Sequence, residues 1–522
     1  MSLDHSSILI SQRKVLRTNR PNLVAQNILE NRDLSKTNDQ MSRRRFAKYV
    51  GGAAVVAVAA AAGYGIYETS KPQPTPTPTV TLTTQPATKT TAPPPAAVSL
   101  RGETTSDPNF YLWDKDTSVT PGGLLAEYNK KTGATVTLER LDWGTHYEKS
   151  RLELQSQSPT YDFFAYDAYV RGSYLPNNWF MDWKELESKT GLAMNFDDMT
   201  QKIVRDCGTY ESKIQGIPSG SFLSPYFIYR KSLFADQNLQ GEFEKKFGHP
   251  LAPPNSWQEV TELSEFFTRK INGMQWYGVS LLMAPESSSD EFYFRWLNMG
   301  GGKGGRPASM LICDENYEPL INNDIGVEAL KNIVNIFQHK WCAPGGTEVA
   351  WVDITSNFFA GDVAMGYMWS CAWPGVDDPA VSKAAGDVGF HTMPLAQDGF
   401  NAHSSLMLGI NRFGKIPEET YKFLQWLLSP EQDKRMALIG NNPVRTSTFQ
   451  DAEVQANPMN ANLWKMLQLP SVPQPDLPEF GEMNYEFSLE IQNAALGKKT
   501  PKQALDDTVA KWREILKKAG KL

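Results

Sequence analysis

The sequence predicts an α/β fold with largely parallel sheets. Three observations predict it. From about Thr105 onward, strand-like and helix-like stretches interleave along the chain, the pattern of strands joined by crossover helices. Apolar residues make up 41% and charged residues 21% of the 522 positions, a globular balance that excludes wholesale disorder and allows two or more cores. No fixed-period repeat appears, so a solenoid is set aside.

Charge narrows the function classes. Residues 1–70 hold 10 Lys/Arg against 5 Asp/Glu, leaving 42 basic and 53 acidic residues in the rest. An acidic body lacks the basic face of a general nucleic-acid binder, so no nucleic-acid partner is expected. There is one long uncharged apolar run, which excludes a polytopic membrane protein.

That run spans 18 residues, Val50 to Tyr67, and follows Ser42-Arg43-Arg44-Arg45-Phe46-Ala47-Lys48. The basic motif matches a twin-arginine export signal, and the charged-then-apolar order is that of an export segment over residues 41–70. As a helix the run reaches about 27 Å, close to the hydrocarbon thickness of a bilayer. Ala60-Ala61-Ala62 offers a small-residue cleavage site. Cleavage gives a freely diffusing protein, and retention gives an N-terminal membrane anchor. Residues 1–40 read as a disordered extension, or as a start placed ahead of the true one at Met41. Residues 71–98 carry 8 Pro and 9 Thr in 28 positions. They favour extended polyproline II, a stalk of up to ~85 Å. The stalk is assigned to 71–105, and it favours the anchored form over a plain linker.

The body is read element by element. Leu124, Leu125 and Tyr128 mark a helix face ended by Gly133. Ala134–Glu139 alternates as a strand, Tyr147–Gln157 is helical, and Phe163–Ala165 is a short buried strand. Tyr226–Tyr229 is strand-like after the Ile217-Pro218-Ser219-Gly220 break. Ser256 with Glu259 makes a capping box for a helix running to Lys270. Ile325–His339, Pro417–Leu428 and Pro430–Leu438 are further helices. The last, Pro501–Lys518, buries Leu505, Val509, Trp512 and Leu516.

Seven stretches in order resemble an extracellular solute-binding protein of the type that feeds carbohydrate ABC importers, family 1, related to maltose-binding protein. Gly133-Ala-Thr-Val-Thr-Leu-Glu with Trp143 resembles its first strand and helix start. Tyr161-Asp162-Phe-Phe-Ala-Tyr-Asp167 resembles "P-D-V-V-x-x-D". Ile214-Gln-Gly216-Ile-Pro218 resembles the segment before the crossover, and Tyr229-Arg230-Lys231-Ser-Leu-Phe234 resembles "Y-Y-N-K-D-L-F". Pro254-Asn-Ser-Trp257-Gln-Glu259, Phe359-Ala360-Gly361-Asp-Val-Ala364-Met365 through Trp373, and Asn442-Pro443-Val-Arg445 complete the set. The resemblance implies a type II periplasmic-binding-protein fold: two α/β lobes, hinge crossovers and a ligand cleft between the lobes. It implies lobe 1 at 106–222 plus 399–455, lobe 2 at 223–398, and C-terminal helices, 456–522, packing back. Hinges are expected near Ser219–Ser224 and Met393–Asp398.

A sugar offers flat C–H faces for aromatic rings and hydroxyls for fixed donors and acceptors. Trp369 and Trp373 flank a break after the Val363–Met368 strand, and read as stacking platforms or as core beneath the strand. Tyr166 and Asp167 end another strand; Asp167 reads as a hydroxyl acceptor or a helix N-cap. Trp143 starts a helix near the cleft mouth. Ser219 and Ser221 sit by the first crossover, as ligand donors or shapers of the turn. Glu286 can accept hydroxyls or cap a helix. His403, beside the second crossover, reads as a donor or a structural histidine. Arg445 reads as a brace or a ligand contact. Trp257 and Trp512 read as core.

Other signals have plainer readings. The glycine run at 300–305 lacks the Gly-Lys-Ser/Thr end of a phosphate loop. Asp314–Glu318 lacks the central glycine of a calcium loop. No close histidine pair suggests zinc, and no nucleophile elbow or dinucleotide fingerprint appears, so neither metal nor cofactor is expected. Four isolated cysteines allow three full pairings, with Cys313–Cys342 slightly preferred. The expected function is non-enzymatic: an exported protein captures a solute, an oligosaccharide first, and delivers it to ABC permease subunits. The rivals are a secreted glycosidase, with Asp167 and Glu286 as its carboxylates, and capture of a peptide or polyamine.

Overall fold

The computed structural model describes residues 98–115, 121–222, 225–285, 287–302, 311–373 and 375–522. The export motif, the apolar run and the stalk through residue 97 lie outside the described residues.

The strands that build the lobes are β1 (Ser99–Thr105), β2 (Thr135–Leu141), β3 (Phe163–Tyr166), β4 (Ile217–Phe222), β5 (Pro225–Arg230), β6 (Met365–Trp369), β7 (Val388–His391), β8 (Asn401–His403), β9 (Ser405–Ile410) and β10 (Ser471–Pro473). Lobe 1 is a five-stranded sheet in the order β2-β1-β3-β9-β4, and lobe 2 is a three-stranded sheet in the order β6-β5-β7. In lobe 1, β1 pairs parallel with β2 and β3, whereas β9 is antiparallel to both β3 and β4. In lobe 2, β5 is antiparallel to both neighbours. One relationship accounts for both sheets. The antiparallel strand is the one that enters its lobe from a crossover, running away from the cleft while its neighbours run toward it. The largely parallel sheets that the sequence predicts hold only in part: the two crossovers impose the antiparallel strands.

β1 corrects the stalk boundary. Residues 99–105 form a strand flanked on both sides in the lobe 1 sheet, not the end of a linker. Ser-Leu-Arg-Gly-Glu-Thr-Thr hides its burial, because Glu103, Thr104 and Thr105 are wholly buried despite being polar. Glu103 is matched by His146, whose Nδ1 lies 2.7 Å from its carboxylate. Burial raises the Glu103 pKa, and the His146 bond opposes that rise.

Each lobe has its own core. The first runs from Leu100 to Phe222 and from Leu406 to Leu467; the second from Tyr226 to Ala402, and through Met483 and Trp512 to Leu516. The helix Pro458–Gln468 serves both, giving Leu463 and Leu467 to lobe 1 and Met459 and Met466 to lobe 2. The last two helices, Phe480–Ala495 and Pro501–Lys518, pack on lobe 2 helices. Trp257 and Trp512 are buried in the lobe 2 core, as read from the sequence.

The first crossover lies between β4 and β5. The second lies at Ser404, between β8 and β9, not at Met393–Asp398. Met393 belongs to the lobe 2 core, and the amide of Ala396 is bonded to the carbonyl of Asn298. β8 pairs parallel with β10, so a third stretch of chain lies beside the crossover. The Cys313–Cys342 bridge does not form. The two residues pair with separate segments, around Pro319 and Val279, and burial pushes both thiols up to about 12.

Candidate functional site

The sheet register puts five strand ends along one edge of lobe 1. In order these are Leu141, Thr105, Tyr166, Ser405 and Phe222. Both crossovers leave from this edge, so it faces lobe 2. The short helix Pro108–Leu112, just after β1, packs against β4 and against the lobe 2 turn Ser370–Ala372. That contact closes the two lobes on each other.

At the hinge end, Ser370 of lobe 2 donates its hydroxyl to the Phe222 carbonyl at 2.6 Å and lies 3.3 Å from Asn442 Oδ1. Asn442 in turn donates its backbone N–H to Gly220. Gly220 is required here. Its φ is +90°, and a Cβ would lie 2.5 Å from Asn441 Nδ2. Around this point several buried polar atoms have no partner among the described residues: Ser219 Oγ, Asn441 Oδ1, Asn442 Nδ2 and, on the short helix, Asn109 Oδ1. Each such atom costs about 1–3 kcal/mol when left unpaired.

In the middle of the edge, Tyr147 donates its hydroxyl to Asp167 at 2.6 Å. Asp107 accepts from the backbone and side-chain amides of Asn109 at 2.9 and 2.8 Å. Tyr147 lies on the helix Trp143–Gln155, which the buried Glu103–His146 pair fastens to β1. At the far end, the Trp143 ring meets Trp351, the first residue of the lobe 2 helix Trp351–Ala360. Their centroids are 6.4 Å apart and their planes are at 89°.

The structure redistributes the residues read from the sequence. Trp143 and Asp167 lie just beyond strand ends on that edge, and Ser219 lies buried three residues before the end of β4. The Tyr166 side chain, though its backbone ends β3 there, is turned away: it is wholly buried, stacked on Phe180 at 5.0 Å, and burial raises its hydroxyl pKa. Alternation along β3 turns it into the sheet and leaves the next residue, Asp167, at the edge. Trp373 is also core, wholly buried edge-on against Phe358. Trp369 is buried, donating its indole N–H to Asp290 at 3.1 Å with Phe294 against its ring, so neither tryptophan offers an open face. His403 is bonded on both nitrogens, 3.0 Å from Asp206 and 3.0 Å from Ser471. Burial lowers its pKa against the pull of Asp206. Arg445 is a brace. Its guanidinium donates to the carbonyls of Leu428 at 2.7 Å and Met194 at 2.9 Å. Glu286 and the side chain of Ser221 lie outside the described residues.

Sequence reasoning missed Trp351, Ser370, Asn109 and Asn441. Trp351 carries a usable signal, since it opens a helix after an extended residue, as Trp143 does. The others are ordinary polar residues whose meaning comes from their neighbours across the cleft.

The family model for bacterial extracellular solute-binding proteins matches residues 123–462. The chain belongs to that family. Among curated relatives, a probable amino-acid ABC transporter periplasmic-binding protein, y4oP of Sinorhizobium fredii, is 24% identical over 405 residues, 76% of this chain and 86% of that one. An erythritol/L-threitol-binding protein of Mycolicibacterium smegmatis is 21% identical over 347 residues, 62% and 68% of the two chains. A solute-binding protein of Agrobacterium radiobacter K84, solved with ribitol, superposes with a TM-score of 0.66 at 22% identity, covering 80% of this chain and 98% of that one. Maltose-bound MalE3 of T. maritima gives 0.65 at 19%, covering 80% and 100%. These likenesses establish the two-lobed type II fold of this solute-binding protein. The family and these neighbours are binding proteins rather than enzymes.

Proposed function

We propose that this protein captures a hydroxyl-rich solute, a polyol or sugar, between its lobes outside the cytoplasm and passes it unchanged to the permease of an ABC importer. The observation that carries the reading is the group of unpaired buried polar atoms at the hinge end of the cleft, on Ser219, Asn109, Asn441 and Asn442. Neutral donors and acceptors of this kind suit hydroxyls, which need both. The ligands named for two relatives, erythritol or threitol and ribitol, are of that chemistry. Export by the twin-arginine route and tethering at the outer face of the membrane rest on residues 42–48, 50–67 and 71–98.

A second reading is amino-acid capture, favoured by the description of y4oP. An amino acid needs a cation for its carboxylate, and the cleft groups named above are neutral or acidic. The glycosidase reading loses support because the family and the neighbours named above are binding proteins. A thermal-shift screen of the full chain against polyols, sugars, oligosaccharides and amino acids tests the proposal. A rise in melting temperature with a hydroxylated solute, and recovery of that solute intact, is the expected result. Hydrolysis of an oligosaccharide, or a response to amino acids alone, counts against it.

A further inference from the structure

A cavity of about 410 Å³ opens on lobe 2, and none of the cleft residues described above lines it. It lies where three helices of that lobe meet: the start of Trp257–Phe267, the end of Ser288–Asn298 and the start of Asp324–Gln338. The chain around Pro394 completes it. Its volume is in the range of small-molecule pockets. Two of its lining side chains are almost wholly buried, and each carries a polar atom without a partner among the described residues. Trp257, 3% exposed, has its indole N–H unpaired, and Asn298, 1% exposed, has Oδ1 unpaired. Both are held in place. Arg295 lies over the Trp257 ring at 4.3 Å, and Tyr367 meets that ring edge to face at 5.2 Å. Asn298 donates its Nδ2 to the Phe400 carbonyl at 3.0 Å, which fixes the amide and turns Oδ1 the other way. The lining thus offers one donor and one acceptor, each costly to leave unmade. Met299, Ile325 and Pro394 supply apolar walls, and the charged residue at the rim is Glu328.

We propose that this cavity is a second binding site, for a small neutral molecule with an apolar body and a hydroxyl or amide head. Such a head both accepts and donates, so it answers the Trp257 N–H and the Asn298 oxygen. The body packs on Met299, Ile325 and Pro394. A carboxylate accepts only, and it meets the like charge of Glu328 at the rim. A hydrocarbon leaves both polar atoms unpaired. Water does not reach either atom in this structure, so the ligand seats by displacing a wall. Met299, unbranched and half-buried, yields most readily. The site is independent of the solute held in the cleft.

Titration of the full-length chain with phenol, benzamide, benzoate and toluene, followed through the indole N–H resonances by heteronuclear NMR, tests it. The resonance lost in Trp257→Phe identifies Trp257. Phenol or benzamide is expected to shift that resonance and to bind at least tenfold more tightly than benzoate or toluene. Ile325→Trp fills the cavity from a half-buried position and should weaken both neutral probes at least tenfold. Circular dichroism melts check that the variants are folded, and the ranking of the four probes on the unmodified chain stands without them. A Trp257 resonance that neither neutral probe moves overturns the site. Benzoate or toluene binding as tightly as phenol and benzamide overturns the pairing with Trp257 and Asn298. Unchanged affinity in folded Ile325→Trp puts the probes elsewhere and overturns the assignment to this cavity.

Discussion

The imidazole of His403 lies 3.0 Å from the carboxylate of Asp206, wholly buried at the second crossover. Its other nitrogen lies 3.0 Å from Ser471 in β10, and Lys202 donates to Ser471 and to the carbonyls of Leu467 and Leu469. Arg171 reaches Gln474 in the same stretch. A residue with the profile of a ligand donor is thus a tie between the crossing segments and lobe 1.

His403→Ala is expected to cost about 3 kcal/mol, the low end for breaking a buried pair, because Arg205 still attends Asp206. Urea denaturation measures it. The pH dependence follows from burial, which makes the folded ring harder to protonate than its ordinary value of 6.5. The contribution of His403 is therefore whole above about pH 6.5 and declines as the pH falls below it, the unfolded chain taking the proton first. Stability that rises on acidification through this range, compared with the alanine variant, would contradict the assignment.

Asp433 gives the opposite sign. Burial lifts its pKa from 3.8 to about 6, although it accepts backbone N–H bonds from Val444 and Arg445. The fold favours the protonated acid, so its contribution is whole below pH 3.8 and is lost as pH rises through about 6. The gap is worth on the order of 3 kcal/mol. The stability difference between the unmodified chain and Asp433→Asn should move in favour of the variant between pH 4 and pH 7.5.

Ser219→Ala separates binding from folding. Its hydroxyl is buried without a partner among the described residues, so its removal should leave the melting temperature unchanged or slightly raised. Loss of one ligand hydrogen bond costs about 1 kcal/mol, or roughly fivefold in affinity. Calorimetry with the solute found in the screen checks this. A large drop in stability with unchanged affinity would make Ser219 structural.

Gly220→Ala should impair both. Its positive φ and the approach of Asn441 Nδ2 impose about 1–3 kcal/mol of strain. Relief by displacement of Asn441 would disturb the cleft floor, so affinity should fall together with the melting temperature. If only stability changes, Asn441 does not contribute to binding.

Reading the sequence recovered elements whose pattern is local. The helices Pro417–Leu427, Pro430–Leu438 and Pro501–Lys518 lie within a residue of their expected bounds, because proline at the first turn and apolar spacing act over a few residues. β1 escaped because its buried positions are polar and are satisfied by a partner more than forty residues away. Trp369 ends β6 and Trp373 follows it, as the spacing predicts, but a side chain's direction depends on what packs around it. Phe294 and Phe358 decide that here.

The order of residues by itself pointed to an α/β solute-binding protein, since composition, periodicity and short motifs are properties of the chain. Only the tertiary structure decided which polar groups face one another across the cleft, that His403 and Arg445 brace rather than bind, and that Trp143 finds Trp351. Those facts depend on distances between residues hundreds of positions apart, which are set when two cores pack and two crossovers bring their edges together.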